Sequence, residues 1–458
     1  MQIQAARPFV KARSSVLLIE QSKGAVMSHH SKKLPKEHQI IRNLSDRVVQ
    51  AQGPIQILNS IQWDNQIKAD FFKHKAKKMP KVDADYYQKN KLAYKIDDKR
   101  EEFKELERDI VNHLGQYNEV GHIMTRMCQE YLVALDLLEA RGTKEFGRYS
   151  QMLYGGASQV FYVGGPSVNE LAETLLKALS HMKDAENTKK DEKCIDAETA
   201  ATHLQEKLDH FFKHHGDNVF VEVDDKMVAD AAAGADRIRM KKNVKFSERE
   251  LRLLEVHEGW VHVGTTLNGL SQPVCTFLGK APPSGTVTQE GLAVITEIFT
   301  FSSFPSRLNR IVQRIKAIGM AEEGANFLEV YHYYLEQGVD EEEAYDNTMR
   351  VFRGSTPDGQ PFTKDLAYNV GFISIYNYIR LAVSKGLLDR IPLLFLGKIA
   401  LEDMRTYADL MEQGIIVPPK YVPPVFQDAA AVSSWMCYSL FLNKISLDRL
   451  AEDYEGLL

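Results

Sequence analysis

The segment FSERELRLLEVHEGWVHVGTTLNG, from Phe246 to Gly269, limits what this chain can fold into more than any other. Ser247 followed by Glu250 is a capping box, so a helix starts at about Glu248. Leu251, Leu254 and Val261 give it a core-facing stripe, and Asn268-Gly269 is a stop signal. A single helix of about five turns therefore carries His257, Glu258 and His262. The two histidines stand at i and i+5, about 140° apart on a regular α-helix. They can face one ion only if the turn between them is widened to i→i+5 hydrogen bonding, a distortion found mostly at functional sites. Gly259, inside that turn, is expected to ease it.

Two imidazoles and a glutamate on one helix are the elements of a zinc hydrolase site, usually spaced HExxH. Here the spacing is HExxxH, and the pattern alone also arises by chance. Glu258, beside the first histidine, is placed to take a proton from water and pass it to a leaving amine. A catalytic zinc needs three protein ligands and one open position. After the loop FLGKAPPSG comes TVTQEGLAVITEIFTF, where Thr286 with Gln289 resembles a capping box. That puts Glu290 in the first turn of a new helix, where it can complete a His2Glu set for one Zn2+. Glu297, two turns on, can orient a histidine from behind; the other reading is a charge on an amphipathic helix.

The rest of the chain predicts a mainly α protein with a small β-sheet, an α+β fold. A helix runs from about Asp97 to Leu114, a second from Asn118 to Ala140, and a third opens at the capping box Ser167/Glu170. Another runs from about Ala197 to His215. NVFVEVDD and DRIRMKK are short β-like runs just before the metal motif, and the Ala-rich stretch from Val228 to Ala235 reads as a short helix or turn. His181 to Lys193 reads as an exposed charged connection. Residues 1–90 are expected to be an N-terminal extension, partly disordered or helical, with the first 50 or so loosely ordered and Met27 a possible alternative start. Residues 91–458 form the catalytic domain.

With 458 residues and a formal net charge of −5, the chain has no basic excess of the kind nucleic-acid binding requires. The basic stretch KHKAKKMPK, Lys73 to Lys81, has no aromatic interleaving and reads as a solvated segment. Cys128, Cys194, Cys275 and Cys437 are scattered, with no CxxC pair, as in reducing compartments. No apolar run is long enough to span a bilayer, and no signal segment is evident, so a cytoplasmic location with no membrane partner is expected.

HEGWVH together with TQEGLAVITE resembles the family named for its QEGLA motif, the flavohemoglobin-expression modulators, which is related to the microtubule-associated tyrosine carboxypeptidases of animals. The resemblance spans about Asp97 to Asp428 and includes RVFRG, Arg350 to Gly354, and FTKDLAYNVG, Phe362 to Gly371. It implies a gluzincin-type zinc peptidase with His257, His262 and Glu290 as ligands and Glu258 as base. The animal members remove the C-terminal tyrosine of tubulin. No microtubule-binding extension is evident here, so the expected substrate is a peptide or protein C-terminus in general.

A carboxypeptidase must hold a free carboxylate, which arginine does best. Arg350 and Arg353 end a helix that Asp340 can cap, and Lys364 follows the next turn. They are the carboxylate-binding candidates; the other reading is a basic helix end favoured by the helix dipole. Oxyanion candidates are Tyr331, His332 and Tyr376, with Tyr333, Tyr334, Tyr345 and Tyr368 further ones. An aminopeptidase, or a regulatory protein on a peptidase fold, remains the alternative. An acidic residue placed for a substrate amine would favour the former.

Overall fold

Short-range caps open the helices where the sequence places them. In the computed structural model Ser247 and Glu250 close a reciprocal capping box at the start of Glu248–Leu254, as Ser167 and Glu170 do for Val168–Ser180. Asn118 caps Glu119–Glu139 and Asp340 caps Glu341–Phe352 through their side-chain oxygens. The structure describes residues 34–182, 192–213, 216–225, 227, 229–446, 449–450 and 454–455. The expected disorder before Met27, and the middle of the charged connection from His181 to Lys193, lie outside them.

Among the described residues the fold is mainly helical with two small sheets. In chain order the strands are β1 (Ile195–Asp196), β2 (Phe220–Asp224), β3 (Ala231–Ala233), β4 (Arg237–Lys241) and β5 (Lys245–Phe246). β1 and β5 pair antiparallel. β4 is central in the other sheet, parallel to β2 and antiparallel to β3. Ala231–Ala233, in the middle of the Ala-rich stretch, is thus an edge strand and not the expected helix or turn. Tertiary pairing overrides alanine's helical preference here, because three short side chains let the strand lie against the metal-motif helix.

Two expectations about the N-terminal part change. Lys36–Gln52 is a helix that buries Ile41, Leu44 and Val48, one stripe at helical spacing. Trp63, Phe71, Val82 and Tyr87 pack into the same core as Phe327, Tyr331, Tyr345 and Phe352. The described residues from Lys36 onward accordingly form one compact unit, with no boundary near residue 90. A second core joins Leu204, Leu208 and Phe212 of the Ala197–Phe212 helix to Ile238 and Met240 of β4, to Leu251 and Val263 of the metal-motif helix, and to Tyr421. Among the described residues no helix is long and apolar enough to cross a membrane.

Candidate metal centre

The metal-motif helix has three successive windings. It is α-helical over Glu248–Leu254, π-helical over Glu255–Val263 and α-helical again over Gly264–Leu270. The i→i+5 winding expected from the histidine spacing is present and extends through both histidines. It brings the two rings to 4.8 Å between centroids, nearly perpendicular at 89°. Gly259 contributes by space and not by conformational freedom. A Cβ there would lie 2.4 Å from Leu208 Cδ2, so the missing side chain lets the Ala197–Phe212 helix press against the widened turn.

Glu290 comes from the Gly285–Phe299 helix. The expected capping box at its start does not form: Ser284 precedes the helix without a side-chain cap, and Gln289 turns inward to accept from Thr265 Oγ1 and Lys398 Nζ. Glu290 is therefore past the first turn, and its carboxylate points at both histidines. Its Oε2 lies 3.6 Å from His257 Nε2 and 3.7 Å from His262 Nε2. These contacts are too long for hydrogen bonds, and this buried oxygen has no hydrogen-bond partner. Ligand atoms bound at about 2.0–2.1 Å around one tetrahedral zinc would stand about 3.4 Å apart. The three groups, whose ligand atoms all lie within 4.8 Å of one another, fit that role.

Behind the first histidine, Glu297 Oε1 meets His257 Nδ1 at 2.6 Å and Arg307 Nη2 at 3.1 Å. This bond fixes the ring and leaves Nε2 facing Glu290. Burial opposes charge on His257, yet the facing carboxylate of Glu290, the bonded Glu297 and the nearby Glu258 outweigh it and push the imidazole up to about 10. Carboxylates that hold a proton there attract a metal cation for the same reason. Burial raises Glu297, but Arg307 and His257 bring it down to about 2. Burial likewise raises Glu290, but Lys364 and the histidines hold it well below the usual carboxylate range. Glu258 Oε2 accepts the Ala233 backbone N–H at 2.9 Å, so the edge strand β3 sets the position of the expected base.

Among the basic residues singled out in the sequence, Lys364 reaches the cluster, its Nζ 3.3 Å from Glu290 Oε1. Arg350 is committed elsewhere, giving Nε and Nη2 to Asp365 at 2.8 and 3.0 Å. Arg353 is half-buried over the Phe362 ring with a shielded, unpartnered Nε, and burial and Arg350 hold its guanidinium down at about 10. The sequence reading missed Arg307 and Arg314, which lie two turns apart on one face of the Pro305–Glu322 helix, a periodicity that could have marked them. Arg314 Nε, 3.7 Å from Asp365, is also buried without a hydrogen-bond partner. Arg307, Arg314, Arg350, Arg353 and Lys364 thus outnumber the carboxylates of Glu290, Glu297 and Asp365.

The oxyanion candidates separate. Tyr331 packs against Phe71 in the aromatic core, His332 is exposed, and Tyr376 stacks on Phe372. Tyr368, first turn of the Ala367–Ser384 helix, lies against His257 with ring centroids 6.4 Å apart, and Arg307 and Arg314 sit over its ring. Burial raises its hydroxyl, reinforced by Glu290.

The family model for microtubule-associated tyrosine carboxypeptidases matches residues 69–444. The chain belongs to that family. No curated protein matches it. The family match covers the metal-motif helix, the Glu290 helix and the whole basic cluster, and it begins at residue 69, inside the segment first read as an extension. Family membership carries carboxypeptidase-type activity with it.

Proposed function

We propose that this chain is a zinc-dependent carboxypeptidase of gluzincin type that removes C-terminal residues, aromatic and tyrosine-like ones first, from peptides or proteins. The observation that carries the reading is the buried, unpartnered Oε2 of Glu290 facing the Nε2 atoms of His257 and His262. A zinc ion held by these three residues would supply Lewis acidity and lower the pKa of water toward about 7. Glu258, oriented by the Ala233 N–H, takes a proton from the attacking water. The water oxygen bonds to the scissile carbonyl carbon, the C–N bond breaks, and Glu258 delivers the proton to the leaving amine. Tyr368, whose ring lies against His257, is the residue we assign to donate its hydroxyl to the oxyanion.

The basic surplus around Glu290 and Asp365 favours a terminal carboxylate over a terminal ammonium, which argues against aminopeptidase action. Lys364, Arg314 and Arg353 are the residues with donors to offer, while Arg350 braces Asp365. Metal analysis with a C-terminally varied peptide library tests the proposal. The expected result is one zinc per chain and trimming from the C-terminus, lost in Glu258→Gln while zinc stays bound. A metal-free wild type, or unchanged trimming in the variant, would overturn it.

A further inference from the structure

The carbonyl of His262 sits at the end of the widened segment, where the winding returns to α-helical spacing at Gly264. Such changes of winding disturb the regular donor–acceptor ladder. Side-chain donors converge on this carbonyl: Thr266 Oγ1 at 2.8 Å, Lys398 Nζ at 2.9 Å and, longer, Thr265 Oγ1 at 3.3 Å. The same lysine ammonium meets Thr265 Oγ1 at 3.1 Å and Gln289 Oε1 at 3.0 Å. Its donors are thereby matched to acceptors, with none left for a substrate. Gln289 Nε2 returns a bond to the Gly397 carbonyl at 3.2 Å, and the Lys398 backbone N–H binds the Leu278 carbonyl at 2.7 Å. Gln289 immediately precedes Glu290.

We propose that Lys398 is a positioning residue for the metal centre, setting His262 against Glu290 by joining the backbone of one ligand to the side chain next to the other. The inference rests on the zinc reading and goes beyond it, because Lys398 is not among the ligating groups. A ligand set holds a metal well only when its members stay within about 0.5 Å of the required geometry. Without the ammonium, the metal-motif helix and the Glu290 helix keep the direct Thr265–Gln289 bond but lose the link that joins the His262 carbonyl to the residue beside Glu290. Loss of such outer partners weakens metal binding by roughly 10–100-fold.

The test is a double-variant cycle on the full chain, with Lys398→Met, Gln289→Met and the pair. Zinc affinity is read by chelator competition, ligand geometry by the absorption bands of the cobalt(II)-loaded protein, and stability by thermal unfolding of the metal-free protein. Lys398→Met should weaken zinc binding by about tenfold or more and shift the cobalt bands, and the pair should cost little more than either single change. A merely structural lysine would lower the unfolding temperature and leave affinity and cobalt spectrum as in the wild type, which would overturn the proposal. Additive effects on affinity would also overturn it. If Lys398→Met does not fold, Gln289→Met alone decides: a comparable loss supports the proposal and unchanged affinity ends it. A wild type that binds no zinc refutes the zinc reading itself, and with it this one, and is told apart because it needs no variant.

Discussion

Replacing Gly291 by alanine turns a stabilising kind of substitution into a damaging one. Inside a helix, alanine is ordinarily better than glycine by about 1 kcal/mol. Gly291 follows the ligand Glu290 on the Gly285–Phe299 helix, which crosses the Ala367–Ser384 helix at Gly371. A Cβ at Gly291 would lie 2.1 Å from the Gly371 carbonyl carbon and 2.4 Å from its Cα, while a Cβ at Gly371 would lie 2.0 Å from the Val287 carbonyl oxygen. Carbon atoms settle at about 3.5–4.0 Å, so the helices would have to part by roughly 1.5 Å. Both partners are backbone, so no side-chain rotation relieves the clash. Overpacking costs about 1–3 kcal/mol, and a backbone–backbone clash belongs at the upper end, leaving a net loss of about 2 kcal/mol after the propensity gain. The same movement carries Glu290 away from Lys364 and from the histidines. A misplacement of about 1 Å in such a site costs on the order of 100-fold in turnover. Urea unfolding of the metal-free protein and peptidase assays on Gly291→Ala measure both effects. A variant more stable than the wild type, with full activity, would refute the argument from close helix crossing.

Other consequences are as direct. Asn268→Ala should cost about 3 kcal/mol in urea unfolding, because the Asn268 amide gives bonds to the Phe395 and Tyr421 carbonyls and takes them from the Lys420 and Tyr421 N–H groups. Glu297→Gln should weaken zinc binding by about 10–100-fold in chelator competition, since it removes the charge that orients His257 and balances Arg307. Asp365, whose carboxyl is raised by burial but held well below its ordinary range by Arg350 and Arg314, stabilises the fold fully above the unfolded carboxylate pKa of about 3.9. Asp365→Asn should therefore be destabilised at neutral pH, and its gap to the wild type should close as pH falls below that value. A gap that stays constant into acid would show that the carboxylate's charge is not what matters.

How much of this was legible in the sequence depended on range. The capping boxes at Ser167 and Ser247 and the cap at Asp340 involve residues three apart, and each formed as read. Where a longer-range partner competed, the local reading failed. Gln289 left the cap of its own helix for Thr265 and Lys398, and the alanines of β3 joined a sheet. For the basic residues, RVFRG and FTKDLAYNVG marked the right neighbourhood, but the sequence could not say that Arg350 is occupied by Asp365 while Arg314 keeps an unpartnered Nε.

The sequence by itself determined the widened turn. Histidines five apart on a capped helix cannot share an ion on α-helical winding, so the demand for an i→i+5 turn is written in the spacing, and the turn is there. Only the tertiary structure decided what holds that turn in place. Leu208 presses on Gly259, Ala233 orients Glu258, and Lys398 reaches the His262 carbonyl from 136 residues away. Periodicity and caps act within a few residues along the chain, whereas these contacts exist only once distant helices have packed.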